Sequence, residues 1–103
     1  DSRNLPISHK LAEIAVEAGI PVTIGLYMRR DSTGVNAQLR IPGGWLTGMT
    51  QDDYVASITA AENIWELVST MFTPTETGVI EVWVDAWGGT THSVYIDDLS
   101  VTV

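Results

Sequence analysis

The chain has 103 residues, of which 45% are apolar and 17% are charged, and it contains no cysteine. These values predict one globular domain with a single hydrophobic core, and they exclude both a disordered chain and a disulfide-stabilised scaffold. The net charge of −8 makes nucleic acid and anionic lipid poor partners, and no apolar run is long enough for a membrane span.

The first half of the chain is predicted to form strands. Residues 5–7 contain Pro6 and suit only an edge strand or a lead-in. Residues 9–18 fit both a helix and a strand, and we favour the strand because a turn and another strand follow directly. Val22 to Arg30 and Val35 to Ile41 both alternate apolar and polar residues, and the turn between them predicts a hairpin.

The second half continues the pattern after a long loop at residues 45–53. A weak strand is predicted from Tyr54 to Thr59, and another from Ile64 to Thr73, with a β-bulge after Trp65 to restore the phase of its anchors. The chain is predicted to close with a second hairpin, formed by Val79 to Trp87 and Ser93 to Val103. Seven or eight short strands and no persuasive helix predict an all-β fold, an antiparallel two-sheet β-sandwich or a barrel.

The strand from Val79 to Trp87 has two unlike faces. One face is aliphatic and is predicted to join the core: Ile80, Val82, Val84 and Ala86. The other combines Glu81 and Asp85 with Trp83 and Trp87. Glu81 and Asp85 lie about 13 Å apart at strand rise, which is too far for a glycosidase pair. His9 and His92 have no clustered ligands for zinc, so we expect no enzyme activity.

The outward residues of the central strands suggest a binding surface instead. If these strands share one sheet, the surface combines Trp83, Trp87, Tyr27, Arg29, Gln38, Arg40 and Asp85, with Trp45 on the long loop as a further platform. Sugar rings stack on aromatic plates and their hydroxyls bind polar side chains. The same residue types are also enriched in protein interfaces, and the tryptophans could instead pack under a loop.

Asp97 and Asp98 interrupt an otherwise apolar strand near the end of the chain. One of them must point inward or lie at a bulge, where a carboxylate needs partners. A structural calcium ion is one candidate partner, since calcium prefers oxygen ligands. Backbone N–H groups or an arginine are the alternative partners.

The run from Trp65 to Val84, with its Phe72-Thr73-Pro74 ending, and the strand containing Tyr95-Ile96-Asp97-Asp98 resemble galactose-binding-like jelly rolls. That group includes carbohydrate-binding modules of secreted polysaccharide hydrolases, and similar modules occur on phage and virion structural proteins. The resemblance implies a non-catalytic jelly roll, with calcium at Asp97 or Asp98. It also implies an N-terminal strand with its own motif, and because this sequence begins at Asp1-Ser2-Arg3, we expect the domain to lack that strand or to receive it from elsewhere.

We therefore expect residues 1–103 to be a single β-sandwich module that binds glycans, in an extracellular or virion-associated setting. The alternative is a structural or decoration module of a larger assembly, such as a phage capsid or tail, with the same face used for protein contacts or self-assembly.

Overall fold

The structure is a computed structural model that describes residues 7–42, 53–88 and 94–103. Seven strands are present in these ranges: β1 (Ile7–Val16), β2 (Val22–Arg30), β3 (Asn36–Pro42), β4 (Asp53–Ser57), β5 (Glu66–Phe72), β6 (Gly78–Trp87) and β7 (Val94–Thr102). They form a four-stranded sheet in the order β1-β6-β3-β4 and a three-stranded sheet in the order β5-β2-β7. All neighbouring strands are antiparallel. The predicted two-sheet β-sandwich is confirmed, and these ranges include no helix that could cross a membrane.

The core fills the space between the inward faces of the two sheets. Strict alternation along β2, β3 and β6 places every second side chain in it, as the sequence predicts. The fully or nearly fully buried set includes Ile24, Leu26 and Met28 from β2, Ala37, Leu39 and Ile41 from β3, and Ile80, Val82 and Val84 from β6. Burying each large aliphatic side chain contributes roughly 1.5–3 kcal/mol. These residues hold the two outward faces on opposite sides of the molecule.

β1 confirms the strand prediction for a segment that could also have formed a helix. Its pairing with β6 shifts register between Lys10 and Ala12, so Leu11 is an extra residue. Before the shift, Ser8 and Lys10 lie opposite Asp85 and Trp83 on the outward face. The bulge therefore changes which alternate residues face outward along β1.

Both predicted hairpins are wrong. β2 lies in the three-stranded sheet and β3 in the four-stranded sheet, and β6 and β7 are likewise separated. In each case the two consecutive strands belong to different sheets, and the buried apolar sides of β2 and β3 face each other across the core. Alternation identifies the buried side of a strand, but it is the same whether consecutive strands pair laterally or pack face to face.

The predicted bulge after Trp65 is also wrong. β5 begins at Glu66 and pairs with β2 in unbroken register to Phe72, with Val68 and Phe72 buried. Trp65 precedes the strand and is 46% exposed, so it is not a core anchor.

Two charged side chains fix the loops near the end of β2. Buried Arg30 donates hydrogen bonds to the carbonyl oxygens of Ala60, at 2.8 and 3.1 Å, and of Val35, at 3.1 Å. Glu66 accepts the amide N–H groups of Thr59 and Ala60, both at 2.8 Å. These bonds satisfy backbone carbonyl and amide groups of the loops that do not take part in strand pairing.

Candidate functional site

Five of the predicted site residues come together on the outward side of the four-stranded sheet. The register of β3 against β6 places Gln38 opposite Asp85 and Arg40 opposite Trp83. Trp87 continues the same side of β6, opposite Asn36. We call this surface, defined by Gln38, Arg40, Trp83, Asp85 and Trp87, the four-stranded face.

Asp85 is the centre of the four-stranded face. Its carboxylate accepts two hydrogen bonds from Arg40, from Nε at 2.7 Å and from Nη2 at 3.1 Å. It also accepts from Gln38 Nε2 at 2.9 Å and from Ser8 Oγ at 2.7 Å. Both oxygens are thus used twice, and the residue is only 8% exposed. This bidentate contact between Arg40 and Asp85 is the geometry that makes an arginine–carboxylate ion pair strong and well oriented.

The charge state of Asp85 follows from this environment. Burial by itself raises the pKa of a carboxyl group, but the hydrogen bonds from Arg40, Gln38 and Ser8, together with the charge of Arg40, outweigh it. The pKa of Asp85 is therefore lowered from its ordinary value of 3.8. A carboxylate that stays ionised and has every oxygen engaged is suited to holding its neighbours in place and unsuited to proton transfer.

Trp83 is held from two directions. Its indole Nε1–H donates to Glu81 Oε1 at 2.9 Å, and the Arg40 guanidinium lies 5.2 Å from the ring centroid. Lys10 adds a longer contact to Glu81 at 3.9 Å and pairs with Glu13 at 3.1 Å. The Arg40 guanidinium links the tryptophan to the Asp85 centre, because it contacts both.

Trp87 is the more open of the two tryptophans, with 36% of its surface exposed. It lies four residues beyond Trp83 on the same side of β6, about 13 Å away at strand rise. The four-stranded face therefore carries two aromatic plates with a fixed polar centre between them.

Tyr27 and Arg29 do not belong to this face, which corrects the prediction that all the outward residues form one surface. Both lie on β2, whose outward side is on the opposite surface of the sandwich. The prediction required β2 and β3 to pair, and they do not. Trp45 lies outside the described residues.

The surface around Arg29 contains residues that the sequence did not single out. The Arg29 guanidinium lies 4.3 Å from the ring centroid of Tyr95 and 5.5 Å from that of Trp65. Its Nη1 donates to Asn63 Oδ1 at 3.0 Å. We call the outward side of β2 with these neighbours, defined by Tyr27, Arg29, Asn63, Trp65 and Tyr95, the three-stranded face. The alternation of β2 shows that Arg29 points outward, but only the pairing with β7 shows that it meets Tyr95.

Ser8 was also missed. It donates to Asp85 from the edge strand β1, and its phase relative to the rest of β1 is reversed by the bulge at Leu11. The alternation of the later part of β1 therefore misplaces Ser8.

Asp97 and Asp98 lie at a β-bulge, as one of the sequence alternatives required. The register of β2 against β7 shifts between Gly25 and Tyr27, and Asp98 has a φ of 52°. Asp97 Oδ1 accepts the amide N–H of Asp98 at 2.9 Å, which is the backbone alternative to a metal.

Calcium at Asp97 and Asp98 stays a prediction. Within the described ranges, no group of three or more acidic, histidine or cysteine side chains could hold a metal ion. Two neighbouring carboxylates supply fewer oxygens than the six to eight that calcium takes. The fit of the described residues to calcium is therefore incomplete.

A cavity of about 370 Å³ opens between the sheets, lined mostly by apolar residues of β1, β6 and β7, including Leu11, Val84 and Ile96. It lies on the inward side of β6, whereas Trp83 and Asp85 lie on the outward side. The cavity and the four-stranded face are thus separate features.

Comparison with known proteins finds a similar fold but no similar sequence family. No protein-family model matches the sequence, and no curated protein matches it. Among solved structures, the chain is similar to TmCBM61, a carbohydrate-binding module solved in complex with β-1,4-galactotriose at 1.4 Å resolution. The TM-score is 0.71 at 19% sequence identity, and the match covers 98% of this chain and 66% of that chain. The chain therefore has the β-sandwich fold of a carbohydrate-binding module and spans about two thirds of that structure's length.

Proposed function

We propose that the chain is a non-catalytic carbohydrate-binding module that binds glycans through the four-stranded face. The observation that carries the proposal is the Asp85 centre, which orients Gln38 and Arg40 between Trp83 and Trp87. The fold similarity to TmCBM61, which was solved with β-1,4-galactotriose, supports the ligand class.

The two tryptophans would act as stacking plates. The C–H faces of sugar rings pack on aromatic rings, and an extended oligosaccharide of several rings would reach from Trp83 to Trp87 across about 13 Å. Trp83 would be ready to bind because its indole N–H is already bonded to Glu81. A side chain that is ordered before binding loses less conformational entropy when the ligand arrives.

Gln38 and Arg40 would set the orientation of the sugar. Each bonds to Asp85 through part of its hydrogen-bonding capacity, and the amide of Gln38 has an acceptor and a second N–H beyond that contact. The sequence predicts that Asp85 contacts the ligand, whereas its occupied oxygens and its burial make it a positioning residue in this proposal.

The test uses purified protein and a short β-1,4-linked galactose oligosaccharide, with binding measured by titration calorimetry. Trp83→Ala should lower affinity at least roughly tenfold, as expected for loss of a central aromatic contact. Met71→Ala is the matched control, since Met71 is an exposed apolar residue on the other sheet. It should bind like the unaltered chain.

A protein contact on the four-stranded face, as in a structural or decoration module, is the alternative outcome. It predicts that Trp83→Ala changes the molar mass measured by light scattering while no oligosaccharide binds. If Trp83→Ala and Met71→Ala have equal affinity for every glycan tested and equal molar mass, neither use of the face holds.

A further inference from the structure

Arg29 occupies a site that the proposed glycan face does not use. Its guanidinium lies between the rings of Tyr95 and Trp65, at 4.3 and 5.5 Å from their centroids. These two aromatic residues are 42% and 46% exposed, and Tyr27, two residues before Arg29, is 40% exposed. A fixed cation is thus surrounded by open aromatic surface.

The loop before β5 builds this arrangement. Asn63 has a φ of 62°, a left-handed conformation that asparagine tolerates better than most residues. Its amide N–H donates to the carbonyl oxygen of Arg30 at 2.7 Å, and its Oδ1 accepts from Arg29 at 3.0 Å. The loop is therefore tied to the end of β2 by two bonds, which places Trp65 beside Arg29.

The charge of Arg29 is not balanced by a carboxylate in the described ranges. Lys10 pairs with Glu13 at 3.1 Å and Arg40 with Asp85 at 2.7 Å. Arg30 is buried and bonds to carbonyl oxygens. Arg29 has one hydrogen bond, to the neutral amide of Asn63, and two ring contacts. Most of the five N–H donors of its guanidinium thus have no partner among the described residues.

We propose that the three-stranded face is a second glycan site, specific for a sugar acid, in which Arg29 binds the uronate carboxylate and the surrounding rings stack on the sugar. A planar guanidinium fork matches a carboxylate with two parallel hydrogen bonds, a fit that lysine cannot reproduce. Tyr95 and Trp65 hold the fork and offer the apolar surface that sugar rings pack on. The inference extends the proposed function to another face and other residues.

The acidic character of the chain limits the ligand. A net charge of −8 repels a long polyanion, so the site suits a short stretch or an end of an acidic glycan. The probe is therefore a short oligogalacturonide, and its methyl ester is the matched ligand with the same rings and no charge.

Binding is measured by titration calorimetry on the full chain. Arg29→Gln should weaken oligogalacturonide binding at least roughly tenfold, as expected for a charged hydrogen-bonding partner. Arg29→Lys keeps the charge and should recover only part of the loss. Lys10→Gln is the matched control, because it also removes one positive charge but lies on the other sheet. It should leave this affinity unchanged.

Several outcomes overturn the proposal. They are equal binding of the acid and its methyl ester, equal losses in Arg29→Gln and Lys10→Gln, and tighter binding of a sulfated galactan fragment than of the uronate. A change in molar mass on Arg29→Gln would indicate a protein contact instead. Trp83→Ala separates this proposal from the first one, since it should weaken neutral galactose oligosaccharides and leave oligogalacturonide binding intact. Circular dichroism and a thermal melt verify that each variant is folded.

Discussion

Replacing Asp85 by asparagine tests the idea that one buried carboxylate organises the four-stranded face. Asparagine has nearly the same shape, but it carries no charge and presents an NH₂ group where a carboxylate oxygen accepted. One or more of the donors from Arg40, Gln38 and Ser8 would then lose its acceptor. The largest cost comes from the charge of Arg40, which stays partly buried after its ion pair with Asp85 is lost.

The magnitude follows from how far the pair is buried. Removing one partner of a fully buried ion pair costs about 3–5 kcal/mol. The side chains of Arg40 and Asp85 are 22% and 11% exposed, so water compensates part of the loss. We expect Asp85→Asn to lower the free energy of unfolding by about 2–3 kcal/mol. For a domain of this size that corresponds to a drop of roughly 10–20 °C in Tm.

The assay is urea unfolding at a series of pH values. Because the pKa of Asp85 is lowered in the folded chain, its contribution is fully present above the ordinary value of 3.8 and is lost as the pH falls through the folded-state pKa. The stability difference between the unaltered chain and Asp85→Asn should therefore be constant near neutrality and shrink in acid. Asp97→Asn, measured with chelator, is the control, since Asp97 is exposed and accepts the neighbouring amide N–H. Equal stability of Asp85→Asn and the unaltered chain at neutral pH would refute the reasoning, as would a difference that does not change in acid.

Four other predictions concern turns, a loop and a metal ion. Gly88→Ala should destabilise the fold by about 2 kcal/mol or more, because Gly88 has a φ of 84° and a Cβ there would lie 2.8 Å from the carbonyl oxygen of Gly34. Gly19 has a φ of 81°, and a Cβ there would have no atom within 4 Å, so Gly19→Ala tests backbone strain without a steric clash. It should lower the free energy of unfolding by about 1 kcal/mol in the same urea assay. Glu66→Gln should cost about 1 kcal/mol at neutral pH. Burial opposes ionisation of Glu66, but the bonds from the turn after β4 and the charge of Arg30 lower its pKa below 4.5, so this loss should vanish in acid. The predicted calcium at the β7 bulge should raise Tm relative to a sample with chelator, and identical melts would remove it.

Alternation made the strands and their buried sides predictable. In β2 and β3, every inward residue that the pattern indicates is buried, from Ile24 to Ile41. The same pattern could not indicate pairing, since an apolar side reads alike in a hairpin and across a sandwich. Arg30 illustrates the difference: it lies on the inward side of β2, and hydrogen bonds to the carbonyl oxygens of Val35 and Ala60 compensate its burial.

The site was predictable only where lateral pairing happened to agree with the assumed single sheet. Gln38, Arg40, Trp83 and Asp85 come together because β3 and β6 are neighbours. Arg29 and Tyr95 meet because β2 pairs with the last strand, a contact between distant parts of the chain that no local pattern contains.

The two faces differ chiefly in how each arginine is compensated. On the four-stranded face, Asp85 neutralises Arg40 and fixes its fork, so the surface near Trp83 offers oriented hydrogen bonds with little net charge. That combination favours neutral hydroxyl groups, since a buried charge pair has no excess field to attract an anion. On the three-stranded face, aromatic rings and an amide orient Arg29 without neutralising it. Under the two proposals, arginine is a scaffold on one sheet and a charged contact on the other, and the presence or absence of one carboxylate determines which ligand each face would bind.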